Sequence, residues 1–271
     1  MMLPDLRSDY PLAREPIAQF RRDGHILLRG VATRDEIAAY RPAILEARDK
    51  YGAEATPLAQ RDTYGKAFLK GLNLWPKDER VKRFVLAGRF AKLAAELLGV
   101  DGVRLYHDQA LLKEAGGGLT PWHQDQHYWP MATDNTVTMW MPLVDLTPEM
   151  GTMHFISGSH RNGYLGDLPI SDESEAKFEQ FINERGYSKV PGAAMAAGDA
   201  TFHYGWTLHG APGNSSNRTR EVMTIIWYPD GTRVGPLDNA NRQRDRDRWL
   251  PGLKPGDLAA SELNPLVYQR A

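Results

Sequence analysis

Within PWHQDQHYW, residues 121–129, His123, Asp125 and His127 stand at every second position. Imidazoles and carboxylates are both metal donors, and on a strand residues i and i+2 share a face about 6.6 Å apart. His123 and Asp125 can therefore reach one ion, each at about 2.1 Å. His127, about 13 Å from His123 if the strand continues, cannot easily close on the same ion. A third ligand then has to come from a distant strand. By itself the HxD spacing is weak, because such tripeptides usually mark the wet face of a strand.

Six further histidines are available. His25 lies in an early strand and His160 closes a turn-like segment, SGSHRNG. His154 and His203 sit inside apparent strands and read as packed core, while His107 precedes the motif on the adjoining strand. His209, in WTLHGAPGN, stands at a strand end before a Pro-Gly turn. From there an imidazole can lean into a barrel mouth. Two histidines and one acid on one side of a metal leave positions open, the arrangement diagnostic of non-haem Fe(II) oxygenases.

Positioning such residues requires a β-rich core. The segments 103–113, 120–129, 136–146, 151–160, 192–205 and 221–231 read as strands separated by turn residues, the spacing of a sandwich or barrel. Before them, 33–52 reads as a helix capped by Thr33 with Glu36, in which Pro42 should cause a kink or split. Residues 77–100 form the strongest helical pattern, with Gly88 dividing it. The expected fold is α+β: a double-stranded β-helix (jelly roll, cupin-like) with N-terminal helices packed on one sheet. One domain spans 1–271, with 1–100 mainly helical support, 101–231 the jelly roll, an inserted lid at 165–190 in which 171–187 reads as a polar helix or a mobile lid, and a loop-rich tail at 232–271. The arginines of NRQRDRDRW, 241–249, have two readings, contact with an anionic substrate or a solvated charged loop, and the interleaved aspartates favour the loop.

A formal net charge of −1 gives no electrostatic case for nucleic acid or an anionic membrane. The absence of cysteine removes disulfides, thiolate metal sites and cysteine nucleophiles. No apolar run reaches the length of a membrane span. The expectation is a cytoplasmic protein with a small-molecule substrate; nothing in the sequence sets its oligomeric state.

HQD at 123–125, VDLTPEMGTMHFISGSH at 144–160 and HGAPGN…R from 209 to 220 together resemble the phytanoyl-CoA dioxygenase family of iron(II)- and 2-oxoglutarate-dependent oxygenases. FRRDGHILLRG (20–30) is similar to the start of many members, and the likeness runs in order over residues 15–228. It implies Fe(II), 2-oxoglutarate and O2 as cofactor and cosubstrates. His123, Asp125 and His209 would be the metal ligands. Arg220, eleven residues after His209, would grip the far carboxylate of 2-oxoglutarate through a bidentate fork. Arg218 is the alternative if the loop differs by two residues.

Gln109, Lys113, Thr138 and Trp140 are further cosubstrate candidates. For Lys113 the competing reading is an exposed side chain, and for Trp140 it is core. His127, Tyr128, Trp129, Phe202 and Trp206 are candidates for a substrate pocket, although aromatic residues at such places are more often packing. The carboxylate of Asp125 favours hydroxylation over halogenation, since family halogenases lack it. Two other readings stay open: a Zn or Mn cupin-type hydrolase or isomerase on the same triad, and a non-catalytic jelly-roll binding module.

Overall fold

The computed structural model describes residues 3–52 and 56–270. The first hundred residues supply α1 (Arg14–Asp23), β1 (His25–Leu28), α2 (Arg34–Tyr51), α3 (Thr63–Ala67), β2 (Leu69–Leu72), α4 (Glu79–Val85) and α5 (Gly88–Leu98). Thr33 and Glu36 form a reciprocal cap on α2. Pro42 does not split that helix: Ile37, Tyr40, Ile44 and Ala47 are buried on either side of it, and this packing holds the two halves in one helix.

Then follow β3 (Gly102–Lys113), β4 (Thr120–His123), β5 (Val137–Pro142), β6 (His154–Ile156), α6 (Asp172–Arg185), β7 (Lys189–Val190), β8 (Ala200–Tyr204), β9 (His209–Ala211), β10 (Arg220–Pro229), α7 (Ala240–Trp249) and β11 (Leu266–Gln269). The major sheet runs β1-β8-β5-β10-β3-β11, with β2 also paired to β3. The minor sheet runs β4-β9-β6-β7. All the pairings are antiparallel, and the two sheets form the jelly roll.

Strand alternation gives the major sheet two chemically different faces. Ile26, Leu28, Val137, Met139, Met141, Phe202, Met223 and Ile225 form one core with residues of the N-terminal helices, such as Phe20, Ile44, Phe84 and Phe90. The opposite face carries His107, Gln109, Thr138, Trp140, His203, Arg220 and Thr224, which line a cavity between the sheets.

Three expectations need correction. The strand through 120–129 ends at His123, and Asp125–His127 is a 3-10 turn, so the period-two geometry stops at the metal motif. The tail is not loop alone: it holds α7, and β11 pairs with β3 in the major sheet. α6 is not a free lid. Phe178 and Ile182 are buried against Trp122, Ile156 and Leu208 of the minor sheet, and Glu175 and Glu179 accept hydrogen bonds from the Trp122 backbone and indole. Of residues 165–190, Ile170 alone lines the cavity between the sheets.

Candidate metal and cosubstrate site

His123 on β4 and His209 on β9 are direct cross-strand partners, which brings their rings to 4.1 Å between centroids. Asp125 sits just past the end of β4, with its Oδ1 3.6 Å from His123 Nε2 and 3.8 Å from His209 Nε2. One donor atom from each residue falls within 4.8 Å of the others. Each histidine binds a backbone carbonyl through Nδ1: Pro121 O at 2.8 Å for His123, and Thr207 O at 2.9 Å for His209. Those bonds place the proton on Nδ1 and leave each Nε2 lone pair aimed at Asp125.

Burial drives both imidazoles toward the neutral, metal-binding form, His123 to about 3 and His209 to about 4. Burial also works against the Asp125 carboxylate, but the surrounding histidines outweigh it and hold that group below the usual carboxylate range. Two neutral nitrogens and one ionised oxygen converging on one point suit a divalent cation.

The other oxygen of Asp125 is held from behind. Thr138 Oγ1 donates to Oδ2 at 3.0 Å, and His203 Nε2 lies 3.3 Å from the same atom. The sequence offers Thr138 as a cosubstrate contact, and the geometry makes it a partner of Asp125. His203, read from sequence as core, is the residue that sequence reasoning missed. The available signal was its alternation with Thr201 on β8, opposite the apolar Phe202.

Arg220 opens β10, with its side chain in the same cavity. Its guanidinium lies over the rings of Phe68, at 5.3 Å, and Trp140, at 5.2 Å, and Nη1 donates to Gly151 O. Gly151 has φ +78°, and a Cβ there would stand 2.5 Å from Pro212 O, so glycine is required for this approach. Arg220 Nε has no partner, and burial pulls the guanidinium down to about 9 with no carboxylate to offset it. Such a buried, uncompensated cation suits an anionic ligand. Arg218 is exposed and does not line the cavity.

Gln109 lines the cavity beside Thr224, its partner in register. Lys113 is fully buried, not exposed, and donates to Gly118 O at 2.6 Å, Pro212 O at 3.0 Å and Thr120 Oγ1 at 3.3 Å. It braces the loops around the site and does not line the cavity. Tyr128 and Trp129 line it; Phe202 faces the helices. Trp206 lies outside, with its indole bound to Asp134 at 2.7 Å. His127 also lies outside, with Nε2 3.0 Å from Asn241 Nδ2 and 3.4 Å from Asp167 Oδ1.

The cavity, of ≈ 250 Å³, is closed on another side by Arg244, Asp245, Arg248 and Trp249 of α7. The segment 241–249 is therefore helix and not loop, although Arg244 and Arg248 are exposed as a solvated segment would have them. Among the described residues, no helix is long and apolar enough to cross a membrane.

Residues 20–222 match the family described as phytanoyl-CoA dioxygenase (PhyH). A probable alpha-ketoglutarate-dependent hypophosphite dioxygenase of Stutzerimonas stutzeri is 24% identical over 184 residues, covering 65% of this chain and 59% of that protein. The ectoine dioxygenase of Stutzerimonas stutzeri (strain A1501) is 23% identical over 242 residues, covering 82% of this chain and 79% of that protein. Among solved structures, the non-heme alpha ketoglutarate dependent carbocyclase SnoK from nogalamycin biosynthesis superimposes with a TM-score of 0.75 at 24% identity, over 94% of this chain and 96% of that one. The epimerase SnoN, crystallised with Fe3+, alpha ketoglutarate and nogalamycin RO, gives 0.74 at 27% identity, over 93% and 97%. The chain belongs to the phytanoyl-CoA dioxygenase family of iron(II)- and 2-oxoglutarate-dependent dioxygenases.

Proposed function

We propose that the chain hydroxylates an unactivated C–H bond of a small molecule, converting 2-oxoglutarate and O2 to succinate and CO2. The observation that carries this reading is the buried Arg220 guanidinium, without a counter-charge, in the same cavity as the His123–Asp125–His209 donors. A hydrolase or isomerase on the same triad has no need of that clamp.

In this reading His123, Asp125 and His209 hold iron(II), which supplies the O2-dependent oxidising chemistry when bound. Arg220 receives the far carboxylate of 2-oxoglutarate through paired charge-assisted hydrogen bonds. The rings of Phe68 and Trp140 stand beside the guanidinium and exclude water from that contact. Thr138 and His203 fix one oxygen of Asp125 so that the other keeps its place toward the histidines.

The test is anaerobic addition of Fe(II) and 2-oxoglutarate to the metal-free chain. A weak visible metal-to-ligand absorption band is expected, followed by succinate on admission of air. Neither band nor succinate would leave the hydrolase or the binding module as the better reading.

A further inference from the structure

α7 carries four arginines, and its geometry sorts them into two pairs four residues apart. Arg242 pairs with Asp238, and Arg246 contacts Asp247 and the Leu253 carbonyl. Arg244 and Arg248, on another face of the helix, line the cavity. Among the described residues, Arg244 has a single hydrogen bond, to Asn241 on its own helix. Arg248 makes no hydrogen bond or ion pair with a described residue.

Between these two lies Asp245, which would be expected to cancel part of their charge. It offsets only part: its Oδ2 also accepts from Tyr106 OH at 3.2 Å, and one carboxylate stands against two guanidiniums. The mouth is therefore cationic. It is also flanked by flat and apolar surface, from Trp249 stacked on His107 at 4.8 Å and from Trp129 and Ile226.

Register separates this end from the Arg220 end. Arg220 pairs with Lys113, whereas Ile226 pairs with His107 beneath α7. Six residues of strand put the two ends roughly 20 Å apart. The two ends therefore start from well-separated stretches of backbone. α7 also lies beyond the segment, 20–222, that matches the family.

We infer that α7 is the substrate-selecting element, with Arg244 and Arg248 receiving an oxyanion, a carboxylate or phosphate monoester, carried on an apolar or aromatic body packed against Trp249. This rests on the proposed function only for the word substrate; the anion site itself does not depend on turnover.

The test uses the full chain with Mn(II) in place of iron and saturating 2-oxoglutarate, so that the Arg220 end is filled and no turnover occurs. Calorimetric titration compares phenyl phosphate, phenylacetate and uncharged phenylacetamide. At least one anion should bind roughly tenfold or more tighter than the amide, the effect of a charge-assisted contact. The tighter anion identifies the head group. The double variant Arg244→Ala/Arg248→Ala should erase the preference, and Arg244→Lys/Arg248→Lys should keep part of it if the fold and charge persist. Equal binding of anions and amide, no heat from either anion at millimolar concentration, or a preference that survives the double alanine variant would overturn the inference. Failure of 2-oxoglutarate itself to titrate would instead count against the proposed function, and the probe comparison is then read on the chain without it.

Discussion

Arginine stands at both ends of the cavity, in opposite settings. Arg220 is buried at the start of a sheet strand, beside the rings of Phe68 and Trp140, and has no counter-charge. Arg244 and Arg248 are exposed on a helix with no buried residues. The buried end is built from strands that also hold the metal donors, within the segment shared with the family. The exposed end is built from a helix outside it. On the proposed function, the difference teaches a division of labour: the cosubstrate is gripped by the rigid sheet, and the selective contacts are hung on an added helix.

The largest expected effect lies where both ends depend on the metal. Asp125→Ala or His209→Ala should lower iron affinity and succinate formation by more than about 100-fold, beyond what loss of an outer contact costs. Arg220→Ala comes next. Losing a bidentate charge-assisted contact of about 1.5–3 kcal/mol should raise the 2-oxoglutarate concentration needed by roughly 10–150-fold, with iron affinity little changed. Steady-state kinetics in 2-oxoglutarate checks it. An unchanged requirement would remove Arg220 as the carboxylate clamp, and with it the contrast between the ends.

Thr138→Val should act on the metal by a smaller amount. Removing the hydroxyl that holds Asp125 Oδ2 should weaken Fe(II) binding by roughly tenfold, measured by competition with a chelator. Thr138→Ser should restore most of it, which a purely packing role would not allow.

How far these roles were legible in the sequence follows the same division. The strands within 103–113, 136–146 and 221–231, the α2 cap and the break before Gly88 all rest on local chemistry, and the structure shows them; within 120–129, 151–160 and 192–205 only short pieces are strand. The pairing of His123 with His209 is non-local, so no periodicity around either residue reveals it; collinearity with the family does. Asp125 illustrates the opposite failure. Period-two geometry places it correctly for the wrong reason, because the strand stops at His123 and a 3-10 turn carries the carboxylate inward. α7 is illegible because its arginines and aspartates have no apolar stripe, the usual sign that a helix docks. Its position is set by the cavity wall and by contacts such as Tyr106 to Asp245.

Asp245 sharpens the contrast through pH. Its carboxyl is raised from 3.8 to about 7, mainly by burial, so it is neutral below that point and anionic above it. Its neighbours Tyr106, raised well above its ordinary value, His107, lowered to about 4, and Asp125, held below the usual carboxylate range, do not titrate in that window. Phenylacetate affinity should therefore fall a few-fold as pH rises through about 7, as a like charge appears beside the site. Asp245→Asn should flatten that profile. The 2-oxoglutarate requirement, set at the far end, should not follow it.

The smallest effect on the metal is expected at His127, the third histidine-or-acid position of the opening motif. The 3-10 turn that brings Asp125 toward His209 takes His127 out of the cavity, where it faces Asn241 at the start of α7 and Asp167. It therefore belongs to the exposed end. His127→Ala should leave Fe(II) affinity within a few-fold of the parent, well short of the 10–100-fold expected for a ligand's supporting contact. It should instead loosen α7 by about 1 kcal/mol, the net value of the lost hydrogen bond. Amide hydrogen exchange should show this as faster exchange in 240–249, with the strands around Arg220 unaffected. A tenfold or greater loss of iron affinity would mean that the two ends are one mechanical unit.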